Sequence, residues 1–226
     1  MKLKYNHLFP NPCVVCRWHI CPREFCICPE CLHKFQLLLT EKCRTCGKPP
    51  SGCTCVREDN HRFSFFYGSY TSRGVIYLLK TNSDRRVYSI IVKLCVDACG
   101  LKPSSYDAVA FVPRARKSLK RHGVDHAKEI AKAMSELYGI PMIDCIERIG
   151  GDEQKLLSRS ERIKNIKDKY KIKEGFSLEK PYRKILVVDD VYTTGATMKT
   201  CCALLRGRIS DSVVAFTLAK TNYLKQ

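Results

Sequence analysis

Ten of the fifteen cysteines in this chain lie between positions 13 and 55. They include three C-x-x-C pairs, Cys13/Cys16, Cys28/Cys31 and Cys43/Cys46, and one C-x-C pair, Cys53/Cys55. A C-x-x-C knuckle turns two thiolates toward one ion, and two pairs make the tetrahedral thiolate set of structural zinc. The first two pairs are separated by eleven residues, room for a short hairpin that brings them together. The expected sites are therefore Cys13, Cys16, Cys28 and Cys31, and then Cys43, Cys46, Cys53 and Cys55. Cys21 and Cys26 are left over, and either could replace a member of the first set. Thiolates alone do not separate zinc from an iron–sulfur cluster. No βαβ pattern surrounds the pairs, which argues against a thioredoxin-like redox role.

A second stretch, "ILVVDDVYTTGAT" at residues 185–197, runs from four apolar residues into two aspartates and then into threonines and a glycine. Read as strand, turn and helix start, it presents Asp189 and Asp190 at a strand's carboxyl end, followed by a hydroxyl-rich loop over Thr193, Thr194, Gly195, Ala196 and Thr197. Backbone N–H groups at a helix start attract anions, and threonine hydroxyls add donors. Carboxylates beside an anion cradle would repel phosphate alone. They suit a ligand that also offers hydroxyl donors, so the stretch reads as a site for a sugar 5′-phosphate, with the diol on the aspartates. It is not a Walker loop.

The elements that position these residues follow from periodicity. Residues 61–70 alternate as a strand. "RGVIYLLKTN" and "RRVYSIIVKLCVDACG" carry apolar residues at helical spacing, with Cys95 and Cys99 as small core residues. "YDAVAFVP" is a buried strand stopped by Pro113. The next helix turns Ala127, Ile130, Ala131, Met134 and Leu137 inward and stops at residues 139–141. Residues 148–175 are charged, with at most a short helix. A strand through residues 185–188, a helix from Ala196 closed by Gly207, and a strand over "DSVVAFTLAK" complete the chain. Strands alternating with helices give an α/β fold with a parallel sheet flanked by helices, whose ligands bind at the carboxyl ends of the strands. The expected division is a cysteine-rich zinc module at residues 1–58 and an α/β domain at residues 59–226.

A composition of 45% hydrophobic and 27% charged residues is that of a globular protein, and no apolar run reaches the ~20 residues of a spanning helix. The opening "MKLKYNHLFPNPC" lacks the apolar core of a secretion signal, so the expectation is a cytoplasmic protein with reduced thiols and no membrane insertion. A formal net charge of +18 points to polyanionic partners, nucleic acid or phosphorylated small molecules. His122 and His126 flank a helix start, where a plain polar role suffices. His33 could compete as a zinc ligand, but four thiolates are already at hand.

Residues 185–197 resemble the thirteen-residue phosphoribosyl pyrophosphate motif of type I phosphoribosyltransferases, with Tyr192 in place of the usual aliphatic residue. The chain as a whole is similar to the ComF family, which joins a cysteine-rich zinc module to a phosphoribosyltransferase domain. His122-Gly123-Val124-Asp125-His126 is a weaker counterpart of that family's R-G-F-N-Q turn. Arg148, Gln154, Leu157, Arg162 and Asn165 follow a further family pattern with modest spacing differences. The resemblance implies the type I phosphoribosyltransferase fold and binding of 5-phosphoribosyl-1-pyrophosphate with Mg²⁺. It also implies that Arg114, Arg116 and Lys117, after Pro113, face the pyrophosphate. Residues 148–168 would form a flap carrying Gln154 and Arg162, hinged at Gly150 and Gly151. If active, the protein transfers the ribosyl group to a nucleophile, usually a nitrogen, with loss of pyrophosphate. The family's link to natural transformation implies a role in DNA uptake, with single-stranded DNA and a helicase-like uptake protein as candidate partners. The alternatives are a non-catalytic sensor of the same ligand that binds single-stranded DNA, and a nucleobase-salvage phosphoribosyltransferase.

Overall fold

Residues 185–188 form the middle of the sheet and have no solvent exposure. A computed structural model describes residues 12, 13, 15–19, 21, 27–53, 55, 60–81, 84–114, 123–149, 169–178 and 181–222. Its elements run α1 (Pro29–Thr40), β1 (Arg62–Tyr67), α2 (Tyr70–Thr81), α3 (Arg85–Cys99), β2 (Ala108–Phe111), α4 (His126–Tyr138), β3 (Met142–Ile143), β4 (Ile146–Arg148), β5 (Tyr170–Ile172), β6 (Tyr182–Tyr192), α5 (Ala196–Leu205) and β7 (Ser210–Thr221). The main sheet has the order β1-β7-β6-β2-β3, and all of its pairs are parallel. The α/β architecture with a parallel sheet flanked by helices is as expected.

Alternation along β6 divides the interior. Leu186 and Val188 join one core with α1 to α4, and Ile185 and Val187 join the other with Met198, Cys201, Cys202 and Leu205 of α5. Strands covered on both faces read as continuous apolar runs, which is why this one was visible in the sequence. The helices carry their own boundaries. Asp84 caps α3 by accepting from the Arg86 amide, and Gly100 closes it at φ 64°. Asp125 caps α4 by accepting from the Lys128 amide. Cys95 and Cys99 are buried core residues, as expected. Leu137 is not: it lies 39% exposed while Ala133 takes a place inside. Leu137 lies in the last turn, one residue before the helix ends at Tyr138.

The charged region was expected to hold at most a short helix. Its described ends instead pair as strands, β4 with β5 antiparallel, and the Ile149 amide donates to the Lys169 carbonyl. Residues 150–168, with the flap candidates Gln154 and Arg162 and the hinge Gly150 and Gly151, lie outside the described residues.

The cysteine-rich region leans on the sheet. Phe35 and Leu38 of α1 enter the larger core, and the Phe35 ring meets Phe65 of β1 edge-on at 5.9 Å between centroids. The Arg44 amide donates to Asn222 Oδ1, beyond the end of β7. Phe35→Ala is expected to cost the full chain about 3–5 kcal/mol, the range for emptying a buried aromatic site. Urea unfolding measures this, and a loss below about 1 kcal/mol would show that α1 is not part of the core.

Candidate functional site

Strand order places the crevice. From β2 the chain passes through α4 outward to β3, whereas from β6 it passes through α5 to β7 on the opposite side. The order therefore reverses between β2 and β6, and the carboxyl ends of such a pair frame the ligand crevice of open α/β sheets. Phe111 stands in register with Val188, and the Val112 amide donates to the Val188 carbonyl. Asp189 and Asp190 follow on one side, and Pro113 and Arg114 on the other.

Strand β6 does not end at Val188. It continues to Tyr192, with Val191 opposite Ala219 and Tyr192 opposite Lys220. The aspartates thus belong to the strand, and the backbone anchors them. Asp189 Oδ1 accepts from the Asp190 amide at 2.8 Å, and Asp190 Oδ1 accepts from the Val191 amide at 2.7 Å. Asp190 Oδ2 is buried and receives no hydrogen bond. Two cations approach that oxygen, Lys80 Nζ at 3.6 Å and Arg114 Nη2 at 3.7 Å. Burial, together with the neighbouring charge of Asp190, holds the Asp189 carboxyl well above the usual carboxylate range.

Arg114 is fixed through its backbone. Its amide donates to Asp125 Oδ2 at 3.1 Å, while the other oxygen of Asp125 caps α4. Asp125 is thus a positioning residue that motif matching caught only as part of a weak turn. Its signal was available: an aspartate directly before an amphipathic helix. Arg116, Lys117 and His122 lie outside the described residues. His126 is buried and hydrogen-bonds the Tyr88 hydroxyl at 3.0 Å, a structural part within the interior.

Thr193, Thr194 and Gly195 bend the chain into α5, whose first turn holds Ala196 and Thr197. Gly195 has φ +77°, and a Cβ there would run into the phenol of Tyr192. The glycine is therefore required by a neighbouring side chain as well as by its backbone angle. Tyr192 in turn stacks on His61, with ring centroids 4.2 Å apart. The Thr217 hydroxyl donates to the Ala219 carbonyl, so in its 2.8 Å contact with His61 Nε2 it accepts, which makes Nε2 the protonated nitrogen. Burial, followed by the charge of Lys220, pushes His61 down to about 3, so the imidazole is neutral. The N-cap glycine offers no side chain to the first-turn amides of α5, and the Ala196 amide reaches Thr194 Oγ1 only at 3.5 Å, the setting in which a helix start takes an anion.

The cysteines form two groups, Cys13, Cys16, Cys28 and Cys31, and Cys43, Cys46, Cys53 and Cys55, each with its sulfurs within 4.8 Å of one another. Sulfur–sulfur distances include 3.9 Å for Cys16 and Cys28, 3.8 Å for Cys43 and Cys55, and 3.7 Å for Cys46 and Cys53. A tetrahedron with metal–sulfur bonds of about 2.3 Å has edges of about 3.8 Å, so each group can hold one zinc ion. Amides of Cys28 and Cys31 donate to the sulfurs of Cys13 and Cys28, the support thiolates need around a metal. Cys21 is buried beside the first group but is not one of its four, and Cys26 lies outside the described residues. His33 is exposed and belongs to neither group.

No family model matches the chain. It is 24% identical over 206 residues to competence protein ComFC of Streptococcus pneumoniae, covering 87% of this chain and 89% of that protein. The chain is ComF-like. Over 116 residues it is also 28% identical to competence protein F of Haemophilus influenzae, covering half of each. Among solved structures, the ComF-like chain is 18% identical to orotate phosphoribosyltransferase from Aeropyrum pernix, with 66% of this chain and 64% of that one covered at a TM-score of 0.40. It is 16% identical to adenine phosphoribosyltransferase from Thermoanaerobacter pseudethanolicus, covering 66% and 85%, at a TM-score of 0.39. Among the described residues of the ComF-like chain, no helix is long and apolar enough to cross a membrane.

Elemental analysis of the ComF-like chain should find about two zinc ions per chain, and Cys46→Ser should lose about one of them. Well under one ion in the parent would overturn the metal assignment. A second expectation concerns Asp189, whose carboxyl is raised in the folded state. The stability it contributes is fully present below its unfolded value of about 3.9 and is lost as pH rises through the folded value. Asp189→Asn should therefore stabilise the fold near neutral pH and lose that advantage toward about pH 4. Thermal midpoints across pH measure this, and an advantage that does not shrink with acid contradicts the burial of the charge.

Proposed function

We propose that this ComF-like protein binds 5-phosphoribosyl-1-pyrophosphate with Mg²⁺ in the crevice between β2 and β6 and serves DNA uptake in natural transformation. The observation that carries the binding reading is Asp190 Oδ2, a buried acceptor without a donor, at the switch point of the sheet. A ribose hydroxyl is the donor it calls for. The glycine-capped start of α5, with Thr193, Thr194, Gly195, Ala196 and Thr197, would take the 5′-phosphate. Arg114 would meet the pyrophosphate at C1, together with Arg116 and Lys117 from the loop that follows. Gln154 and Arg162 would close over the ligand from the segment between β4 and β5.

Magnesium would neutralise the pyrophosphate and favour its departure. Among the described residues the acidic groups form no carboxylate cage, which suits an ion held mainly by ligand oxygens. This chain's own part is to hold the ribose hydroxyls on Asp189 and Asp190 and to keep donors aimed at both phosphate ends. Positioning and electrostatics of that kind supply most of the help a dissociating C1–O bond needs. Residues 1–58 would act as a zinc-held module folded against the domain at residues 59–226. The role in DNA uptake rests on the competence proteins to which the chain is similar.

Calorimetry with phosphoribosyl pyrophosphate and Mg²⁺ tests the site. The double variant Asp189→Ala/Asp190→Ala should bind at least about a hundredfold more weakly than the parent, as expected when two hydrogen-bonding carboxyl groups are removed. Equal binding by both proteins would refute the site. Release of pyrophosphate from a metabolite mixture would then separate a transferase from a sensor.

A further inference from the structure

The C-terminal turn of α2 delivers a second cation to the crevice. Lys80 Nζ and Arg114 Nη2 come from elements far apart in the chain, yet both stand within 3.7 Å of the same oxygen, Asp190 Oδ2. Neither approach is a hydrogen bond, since that oxygen receives none. Asp190 carries one negative charge, so the second cation beside it exceeds what balancing that carboxylate requires. Lys80 keeps 43% side-chain exposure, so its side chain stays open to solvent beside Asp190.

One hydrogen-bonded chain positions both cations. The Tyr88 hydroxyl of α3 donates to the Leu79 carbonyl at 2.7 Å, which holds the end of α2 that carries Lys80. The same hydroxyl oxygen meets His126 Nδ1 at 3.0 Å. Because the hydroxyl proton is committed to Leu79, Nδ1 is the donor in that contact. His126 is the first residue of α4, directly after Asp125, which holds the Arg114 amide. Lys80 and Arg114 are thus referenced to one another through the interior, at a spacing a ligand would find already set.

We infer that Lys80 is a phosphate-binding residue of this crevice, which shares the diphosphate of the ligand with Arg114 and so selects a phosphoribosyl diphosphate over a phosphoribosyl monophosphate. This rests on the phosphoribosyl pyrophosphate reading above and extends it. Without ligand, both cations stand against Asp190, whose single charge balances only one of them. With ligand, its free oxygen accepts a ribose hydroxyl, and the ammonium and guanidinium turn their N–H groups to the diphosphate. A lysine suits this place as a compact charge with three donors on a flexible stem.

The test is calorimetry on the zinc-loaded full chain with Mg²⁺, using phosphoribosyl pyrophosphate and ribose 5-phosphate as separate probes. Lys80→Ala should weaken phosphoribosyl pyrophosphate by about tenfold or more, the scale of one charge-assisted contact, while ribose 5-phosphate stays within about twofold. Lys80→Arg should retain most of the lost affinity. If Lys80→Ala weakens both probes alike, Lys80 acts only through Asp190 and the inference fails. It fails too if phosphoribosyl pyrophosphate binding is unchanged. If the parent binds neither probe, the phosphoribosyl reading itself falls, and the inference with it.

Discussion

Two carboxylates follow four residues of β6 that have no contact with solvent at all. Charge at the end of a strand buried on both faces is costly unless something meets it. Backbone amides of the same strand meet one oxygen of each aspartate, and cations from α2 and from the loop after β2 meet Asp190. The crevice owes its arrangement to that requirement. The central strand can be buried only if helices cover both faces, and those helices bring Lys80 and the cap Asp125 to its carboxyl end. An acceptor left without a donor then marks where a ligand must contribute.

The cysteine-rich region obeys a different economy. It has few large apolar side chains, and two of them, Phe35 and Leu38, are buried in the core of the sheet domain rather than in one of its own. What remains is closed by sulfur geometry suited to zinc, in which metal binding supplies folding energy. Cys43 packs with Phe63 and Phe66 of β1, and Lys220 of β7 lies over the Phe63 ring. The second sulfur group is therefore built against β1 and β7, and Lys220 of β7 stands opposite Tyr192 at the end of β6. His61 stands between these regions, stacked on both Phe63 and Tyr192.

Much of the fold was legible because period and punctuation agreed. The apolar run at residues 185–188, the capped helix after Asp125 and the cysteine pairs are each local signals, strong over a few residues. Leu137 misled because helical periodicity says which face a residue takes but not whether a neighbour extends that far. The ribbon of β4 and β5 escaped because its strands are three residues each and their pairing partner lies beyond a long intervening segment. Gly195 was legible only as a member of the loop, not as a position that must be glycine. Its φ is positive, but the space of its missing Cβ is taken by the Tyr192 phenol and is not left open for a ligand.

By itself the sequence determined the metal-binding spacing of the cysteines and the order strand, aspartates, threonine loop, helix. These are set within a dozen residues by bond geometry and by the alternation of buried side chains. Only the tertiary structure decided that Lys80 and Arg114 meet at Asp190, and that His61 and Tyr192 support the turn at Gly195. Those contacts join residues dozens to more than a hundred positions apart. They depend on sheet order and strand register, which emerge from burying both faces of β6 at once, so no local pattern could announce them.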